Sequence, residues 1–173
     1  KLRAEQDVRV VAVEPANCPS LTKGKYAYDF GDTGQMTPLV KMHTLGSSFV
    51  PPSSHAGGLR YHGMAPLVSQ LVDLGQVEPT AYSQTECFDA GVTFAKAEGI
   101  LPAPEANHAV KGALVEAMRC KEEGESRAIL FNLCGHGYFD MQAYMDYSSG
   151  KLADHAYDES EVAMALAGLP SVA

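Results

Sequence analysis

The chain of 173 residues lacks any cluster of positive charge. Its net charge is −8, from 21 acidic against 13 basic residues, whereas a nucleic-acid surface needs a basic stripe or patch. No nucleic-acid partner is therefore expected. No apolar run approaches the roughly 20 residues of a membrane-spanning helix, and the start carries no secretory apolar segment, so no membrane partner is expected either. The four cysteines, Cys18, Cys87, Cys120 and Cys134, form no Cys-x-x-Cys pair and no zinc spacing. That pattern suits reduced thiols in a cytoplasm. Internal repeats are absent. So is an initiator methionine: the chain opens Lys1-Leu-Arg-Ala4 and runs at once into a β-branched segment, which is expected of the interior of a longer protein.

What is present is an ordinary globular mixture, 46% hydrophobic and 20% charged, of a size for one domain with a sizeable core. Val8-Arg-Val-Val-Ala-Val13, stopped by Glu14-Pro15, reads as a buried strand. From Asn17 to Gly63 glycine, proline and serine are scattered without a sustained period. This stretch is expected to be a long, functional loop, with Pro51-Pro52 barring regular structure around it. Met64 to Leu74 reads as a helix with Leu67, Val68, Leu71 and Val72 on its inner stripe and Gly75 ending it. A short strand is expected over 77–82. Ser83-Gln-Thr-Glu86 has the form of a capping box and predicts a helix over 84–97, with Phe88, Val92 and Ala95 inward. Pro104 suits a first helical position, and the helix it opens should run to about Cys120 with Val110, Leu114, Ala117 and Met118 buried. Ala128 to Leu133 reads as a buried strand, Phe139 to Tyr147 as a helix, and Ser160 to Ala167 as a last helix. Strands alternating with helices predict an α/β fold with a largely parallel sheet flanked by helices.

Three clusters carry chemistry. Leu133-Cys-Gly-His-Gly-Tyr-Phe-Asp140 follows the predicted 128–133 strand, at the carboxyl end where ligands bind in open α/β sheets. It brings a thiol, an imidazole and backbone N–H groups to one place, although Gly-x-Gly alone is also how a chain turns sharply, and a cysteine at a strand end is more often a small core residue. Glu98-Gly-Ile-Leu-Pro-Ala-Pro-Glu105 sets two carboxylates around a rigid apolar turn. The plainer reading leaves Glu98 on the surface and Glu105 as a favourable charge in a first helical turn. His55-Ala-Gly-Gly-Leu-Arg-Tyr-His62 offers two histidines around a glycine pair without a third metal ligand, so a loop that approaches a ligand or an interface is the better reading. Gly31-Asp-Thr-Gly34 lacks the lysine of a phosphate-binding P-loop.

In order along the chain, Val8–Pro15, Tyr28-Asp-Phe-Gly-Asp32, Thr37-Pro-Leu-Val-Lys-Met42, His55–Pro66, Glu98–Glu105 and Asn132-Leu-Cys-Gly-His-Gly137 resemble the carboxyl-terminal half of tryptophan synthase β subunits. The likeness is strongest to the divergent second type of β chain. It spans nearly all of 1–173, and the 55–66 match is the most specific. The resemblance implies the fold-type II class of pyridoxal-phosphate enzymes, which here would join L-serine to indole to give L-tryptophan, with the cofactor as electron sink. It further implies that Glu98 lies beside the pyridine ring, that Cys134 faces the pyridine nitrogen with Gly135 beside it, and that carbonyls of Leu59, Tyr61 and Gly63 bind a monovalent cation, sodium or potassium. A serine of other family members is replaced by Cys134, a weaker hydrogen-bonding group, and an aspartate that helps close the active site by Arg60.

The Schiff-base lysine, the acid–base glutamate and the glycine-rich phosphate loop lie upstream of the matched region in the family. None of Lys1, Lys23, Lys25, Lys41, Lys96, Lys111, Lys121 or Lys151 stands in the context of a desolvated, poised nucleophile. No catalytic residue is thus expected in this chain, and alone it is expected to be inactive. In the full-length form a homodimer is expected, with a tryptophan synthase α subunit as a candidate partner. The rival readings are another fold-type II lyase or synthase, and a non-catalytic α/β binding domain.

Overall fold

A computed structural model describes residues 8–172. Its first strand, β1 (Val11–Pro15), pairs in parallel with β4 (Glu78–Tyr82), Val13 opposite Thr80 and Pro15 opposite Tyr82. Arg9 bridges the margin of this pair by bonding Glu78 and Glu116. The parallel expectation holds for this pair, but the flanked, largely parallel sheet does not extend further among the described residues. The second sheet is antiparallel and also two-stranded.

That second sheet lies inside the stretch expected to be a long loop. After the one-turn α1 (Ser20–Lys23), β2 (Lys25–Phe30) and β3 (Leu39–Thr44) form a hairpin, with Ala27 opposite Met42 and Asp29 opposite Val40. The cause of the difference is alternation over six residues in each arm. Met42, Thr44 and Asp29 turn inward and are buried, while Tyr28, Lys41 and Leu39 face out. The tip is closed by Asp32, whose carboxylate accepts from Met36 N, Thr37 N and Thr37 Oγ1. The rest of the expected loop has only a single 3-10 turn at Gly57–Leu59.

The helices follow their sequence signals closely: α2 (Pro66–Asp73), α3 (Gln84–Glu98), α4 (Pro104–Glu123), α5 (Met141–Ser148) and α6 (Glu159–Ala167). Both arms of the Ser83/Glu86 capping box are formed, and Gly99, at φ 70°, ends α3 in the left-handed conformation that favours glycine. Helix α4 packs on α3 and on β1, so closely that a Cβ on Gly112 would lie 2.8 Å from Val13 Cγ2.

Two expected stripes are corrected. Leu67 is 76% exposed on α2, where Ser69 is the buried residue, accepting from His43 N and donating to Met64 O. On α4, burial is concentrated at Ala106, Asn107, His108 and Val110, while Leu114 and Met118 face outward because no described element covers the distal half of that face.

The largest correction concerns 128–133, expected as a buried strand. These residues form neither helix nor ladder, and Leu130 is 97% exposed. A strand exists only with a neighbour to satisfy its backbone, and no described segment lies alongside. The core is correspondingly divided. One cluster joins Cys18, Leu45 and Phe49 to Val162 and Ala165 of α6; another joins Phe88 of α3 to Ala143 and Tyr144 of α5.

Candidate functional site

Strands β1 and β4, being parallel, end on the same side, where Pro15 leads to Asn17 and Tyr82 to the α3 cap. A small cavity opens there, lined by Pro15, Asn17, Ser54, Ala56, Gln84, Phe88 and His108. This is the place at which open α/β sheets hold ligands. The buried His108 donates through Nδ1 to Pro104 O at 3.0 Å, and burial pushes its pKa below the ordinary imidazole range. It is held neutral, with Nε2 left as an acceptor. Ser54 Oγ, also buried, has no hydrogen-bond partner among the described residues.

Two of the three sequence clusters meet over Tyr144, whose ring packs on the cavity residue Phe88. Ala103 N donates to Gly135 O and Gly137 N to Leu101 O, each at 2.8 Å, with Pro102 and His136 directly opposed. The contact leaves no room for a side chain at Gly137, where a Cβ would sit 2.5 Å from Pro102 O and 2.9 Å from Tyr144 Cε2. Pro102 O also accepts from Tyr144 OH at 2.6 Å, and Asn107 Nδ2 donates to that hydroxyl at 2.9 Å. The antiparallel register has a further consequence. Past Ala103 the chain runs toward the Cys134 side and enters α4 at Pro104, followed by Glu105; before Leu101 it runs back past the Tyr138 side to Glu98. Glu98 is exposed at the end of α3, whereas Glu105 is half-buried. The Cys134 thiol is exposed.

The third cluster reaches the same region through Glu105, whose Oε1 accepts from Gly58 N at 2.9 Å. Residues 55–63 are pinned from several other directions. Gln84 Oε1 accepts from His55 N, and Arg60 Nη2 donates to Pro51 O at 2.7 Å. The Cys18 thiol donates to Tyr61 O at 2.9 Å, and His62 Nε2 donates to Phe30 O at 2.8 Å. His62 O in turn accepts from Leu45 N, and Gly63 forms a bridge with Thr44. Of the carbonyls assigned to a cation, Tyr61 O therefore already accepts the Cys18 thiol. Burial raises that thiol to a pKa of about 12, which keeps it a donor.

Several buried polar groups went unnoticed in the sequence, Asp29, Glu14 and Asn107 among them. Asp29 has no exposure; its Oδ2 accepts from Thr44 Oγ1 at 2.6 Å, its Oδ1 accepts from Phe30 N, and His62 Nε2 lies 4.0 Å away. Glu14 accepts from Leu21 N, Thr22 N and Thr22 Oγ1, yet burial outweighs these bonds and raises its pKa. Asn107 is locked to Tyr144. A signal was available for the first two, an acid on the inward register of a hairpin and an acid inside an apolar strand. Asn107 carried none.

No family model matches the chain. Among curated proteins it is 60% identical over 152 residues to tryptophan synthase beta chain 2 of Aquifex aeolicus, an alignment covering 88% of this chain and 35% of that protein. It is 57% identical to tryptophan synthase beta chain 2 of Methanosarcina mazei, over 88% of this chain and 34% of the relative. To the tryptophan synthase beta chain of Thermococcus gammatolerans it is 54% identical over 91% of this chain and 36% of the relative. The chain thus spans about a third of the relatives it matches. Among solved structures, a fungal L-serine ammonia-lyase from Rhizomucor miehei superposes with a TM-score of 0.51 at 17% identity, over 84% of this chain and 42% of the other. At that identity the likeness is one of fold.

Proposed function

We propose, from the premise that this chain is homologous to a portion of the tryptophan synthase β chains, that it supplies the ring-contacting part of a pyridoxal-phosphate enzyme joining L-serine to indole. The observation that carries the reading is the alignment with the Aquifex aeolicus protein, 60% identical over 152 residues. The geometry supports it by bringing the 98–105 turn, the Cys134–Gly137 turn and the 55–63 loop together at the carboxyl ends of two parallel strands.

The residues present fit the ring end of such a cofactor. The exposed thiol of Cys134 and the adjacent Gly135 backbone offer polar groups at one turn, and a carboxylate at Glu98 or Glu105 offers an acceptor on the segment that turn contacts. When bound, pyridoxal phosphate would supply an electron sink. Cys134 and Gly135 would then hold the ring at its nitrogen. The carboxylate beside the ring is Glu98 by resemblance; the register favours Glu105, which enters on the Cys134 side and already orders Gly58. Loop 55–63 would exclude water from above. Leu59, Tyr61 and Gly63 belong to the proposal as carbonyl ligands of sodium or potassium, with Tyr61 O offering its second lone pair. A homodimer and an α-subunit partner complete the reading.

The test is tryptophan formation from serine and indole by the full-length polypeptide containing this chain, with Glu98→Gln and Glu105→Gln compared by cofactor absorbance across pH. Glu105→Gln should shift the absorbance profile and Glu98→Gln should leave it in place. The chain by itself should form no tryptophan. Borohydride-trapped pyridoxal phosphate on one of its own lysines, together with tryptophan formation, would overturn the assignment.

A further inference from the structure

Between β1 and α1 the chain places Cys18 where it meets the 55–63 loop. Its backbone is fixed on both sides: Cys18 N donates to Pro15 O and Cys18 O accepts from Ser20 N, each at 3.0 Å. Nearby, the buried Glu14 carboxylate accepts from Leu21 N and Thr22 N, which ties the start of α1 to the end of β1. The Cys18 side chain is 2% exposed and belongs to the cluster of Leu45, Phe49, Val162 and Ala165, while its thiol donates to Tyr61 O at 2.9 Å. The next carbonyl of the loop, His62 O, accepts from Leu45 N at 2.7 Å. Two consecutive carbonyls are thus tied to two members of one buried cluster, and every one of these partners lies within the chain.

A buried thiol with this partner is not a nucleophile. Burial and the neighbouring Glu14 carboxylate push its pKa up to about 12, so it stays protonated. A protonated thiol combines a small apolar volume with one weak donor. Alanine at this place would donate nothing, and serine would still donate while packing less well. We propose that Cys18 is a positioning residue for the reaction: its thiol holds the Tyr61 carbonyl and thereby fixes the 55–63 loop in the arrangement that keeps water from bound serine. The proposal rests on the functional reading above, in which that loop excludes water. Loss of the bond frees the peptide between Tyr61 and His62 and admits water where indole should react. On the indole route serine loses its β-hydroxyl as water and gains a carbon–carbon bond, giving tryptophan. On the water route one water leaves serine and one enters, so that it ends as pyruvate and ammonia.

The test uses the full-length polypeptide containing this chain, loaded with pyridoxal phosphate, with carbonyl-labelled tyrosine and nitrogen-labelled histidine. Within this chain only Tyr61 is a tyrosine followed by histidine, and the carbonyl resonance lost in Tyr61→Phe identifies it. Cys18→Ala should move that resonance upfield, as loss of a donor does, and raise the ratio of pyruvate to tryptophan by at least about threefold. Cys18→Ser should keep the resonance downfield and hold the ratio within about twofold of the parent, whatever its thermal midpoint. Unfolded protein makes neither product, so the ratio reads the folded enzyme alone. Cys120→Ala, which removes another buried thiol, should leave both readouts in place. An unmoved resonance or an unmoved ratio in Cys18→Ala would overturn the proposal. So would a ratio in Cys18→Ser or Cys120→Ala as high as in Cys18→Ala. A parent that forms neither product would overturn the functional reading and the role in the product ratio with it; the resonance would then decide the bond from Cys18 to Tyr61 alone.

Discussion

Residues 55–63 and 128–134 invert what their sequences suggest. The first stretch is rich in glycine and histidine, has one turn of 3-10 helix, and is nevertheless held by side chains or backbone from β2, α3, α4 and the segments flanking α1 and β3. The second is an apolar, β-favouring run that joins no ladder among the described residues, with Leu130 and Leu133 exposed and Phe131 edge-on to Phe94 of α3. Order in this protein follows from satisfied polar groups more than from apolar content. An apolar strand contributes only when a neighbour completes its ladder, whereas a polar loop can be fixed wherever its backbone groups find buried partners.

The sharpest way to break this contrast is at Thr44, whose hydroxyl donates to the fully buried Asp29 and accepts from Gly46 N. Thr44→Val keeps the shape, removes both bonds, and leaves a buried carboxylate short of a donor. It should cost about 2–3 kcal/mol in urea unfolding and speed amide exchange at 55–63. A loss under about 0.5 kcal/mol would mean that the polar network is not what orders the loop. Gly137→Ala probes the anchored side of the second stretch. The added methyl meets a backbone carbonyl and a buried ring, so overpacking of about 1–3 kcal/mol is expected, with faster exchange at Ala103 and Gly137. Equal stability of mutant and parent would show that the turn relaxes freely and is not fixed by the 101–103 segment.

The mildest expected effect is that of pH. His108 lies one turn from Glu105, which pins the loop, and burial lowers its pKa; His43 of β3 is lowered by burial as well. For a base with a depressed folded-state pKa, the stabilising contribution is complete above the unfolded value near 6.5. It is lost as pH falls from there through the folded value. Glu14 has the opposite sign: its raised pKa adds stability as pH falls through that folded value toward the ordinary carboxylate range. Stability should therefore begin to decline as pH falls below about 6.5, and His108→Gln should flatten that decline. An unchanged slope in the variant would remove His108 from the account.

Much of the helical framework was legible because its signals are local. Ser83 and Glu86, Gly99 and Pro104 fix their helix ends within a turn or two of chain. The β2–β3 hairpin was not legible, since Gly31, Gly34, Pro38 and Gly46 around it dilute the alternation within it. The 128–133 run was read as a strand from composition, but pairing depends on a neighbour that no local pattern reveals. The 55–62, 98–105 and 133–140 clusters were legible as pieces, and the segments do contact one another. Their mutual register was not legible, because the opposition of Pro102 and His136 joins segments far apart in the chain.

The two backbone bonds between 101–103 and 135–137 also say something about how the molecule folds. They close a ring of roughly 30 residues, for which chain-closure entropy is of order 3 kcal/mol, more than two ordinary hydrogen bonds return. The packing of α4 on α3 and the bond from Tyr144 of α5 to Pro102 O make up the difference. The turn bearing Cys134 therefore draws its shape from three helices as much as from its own two bonds.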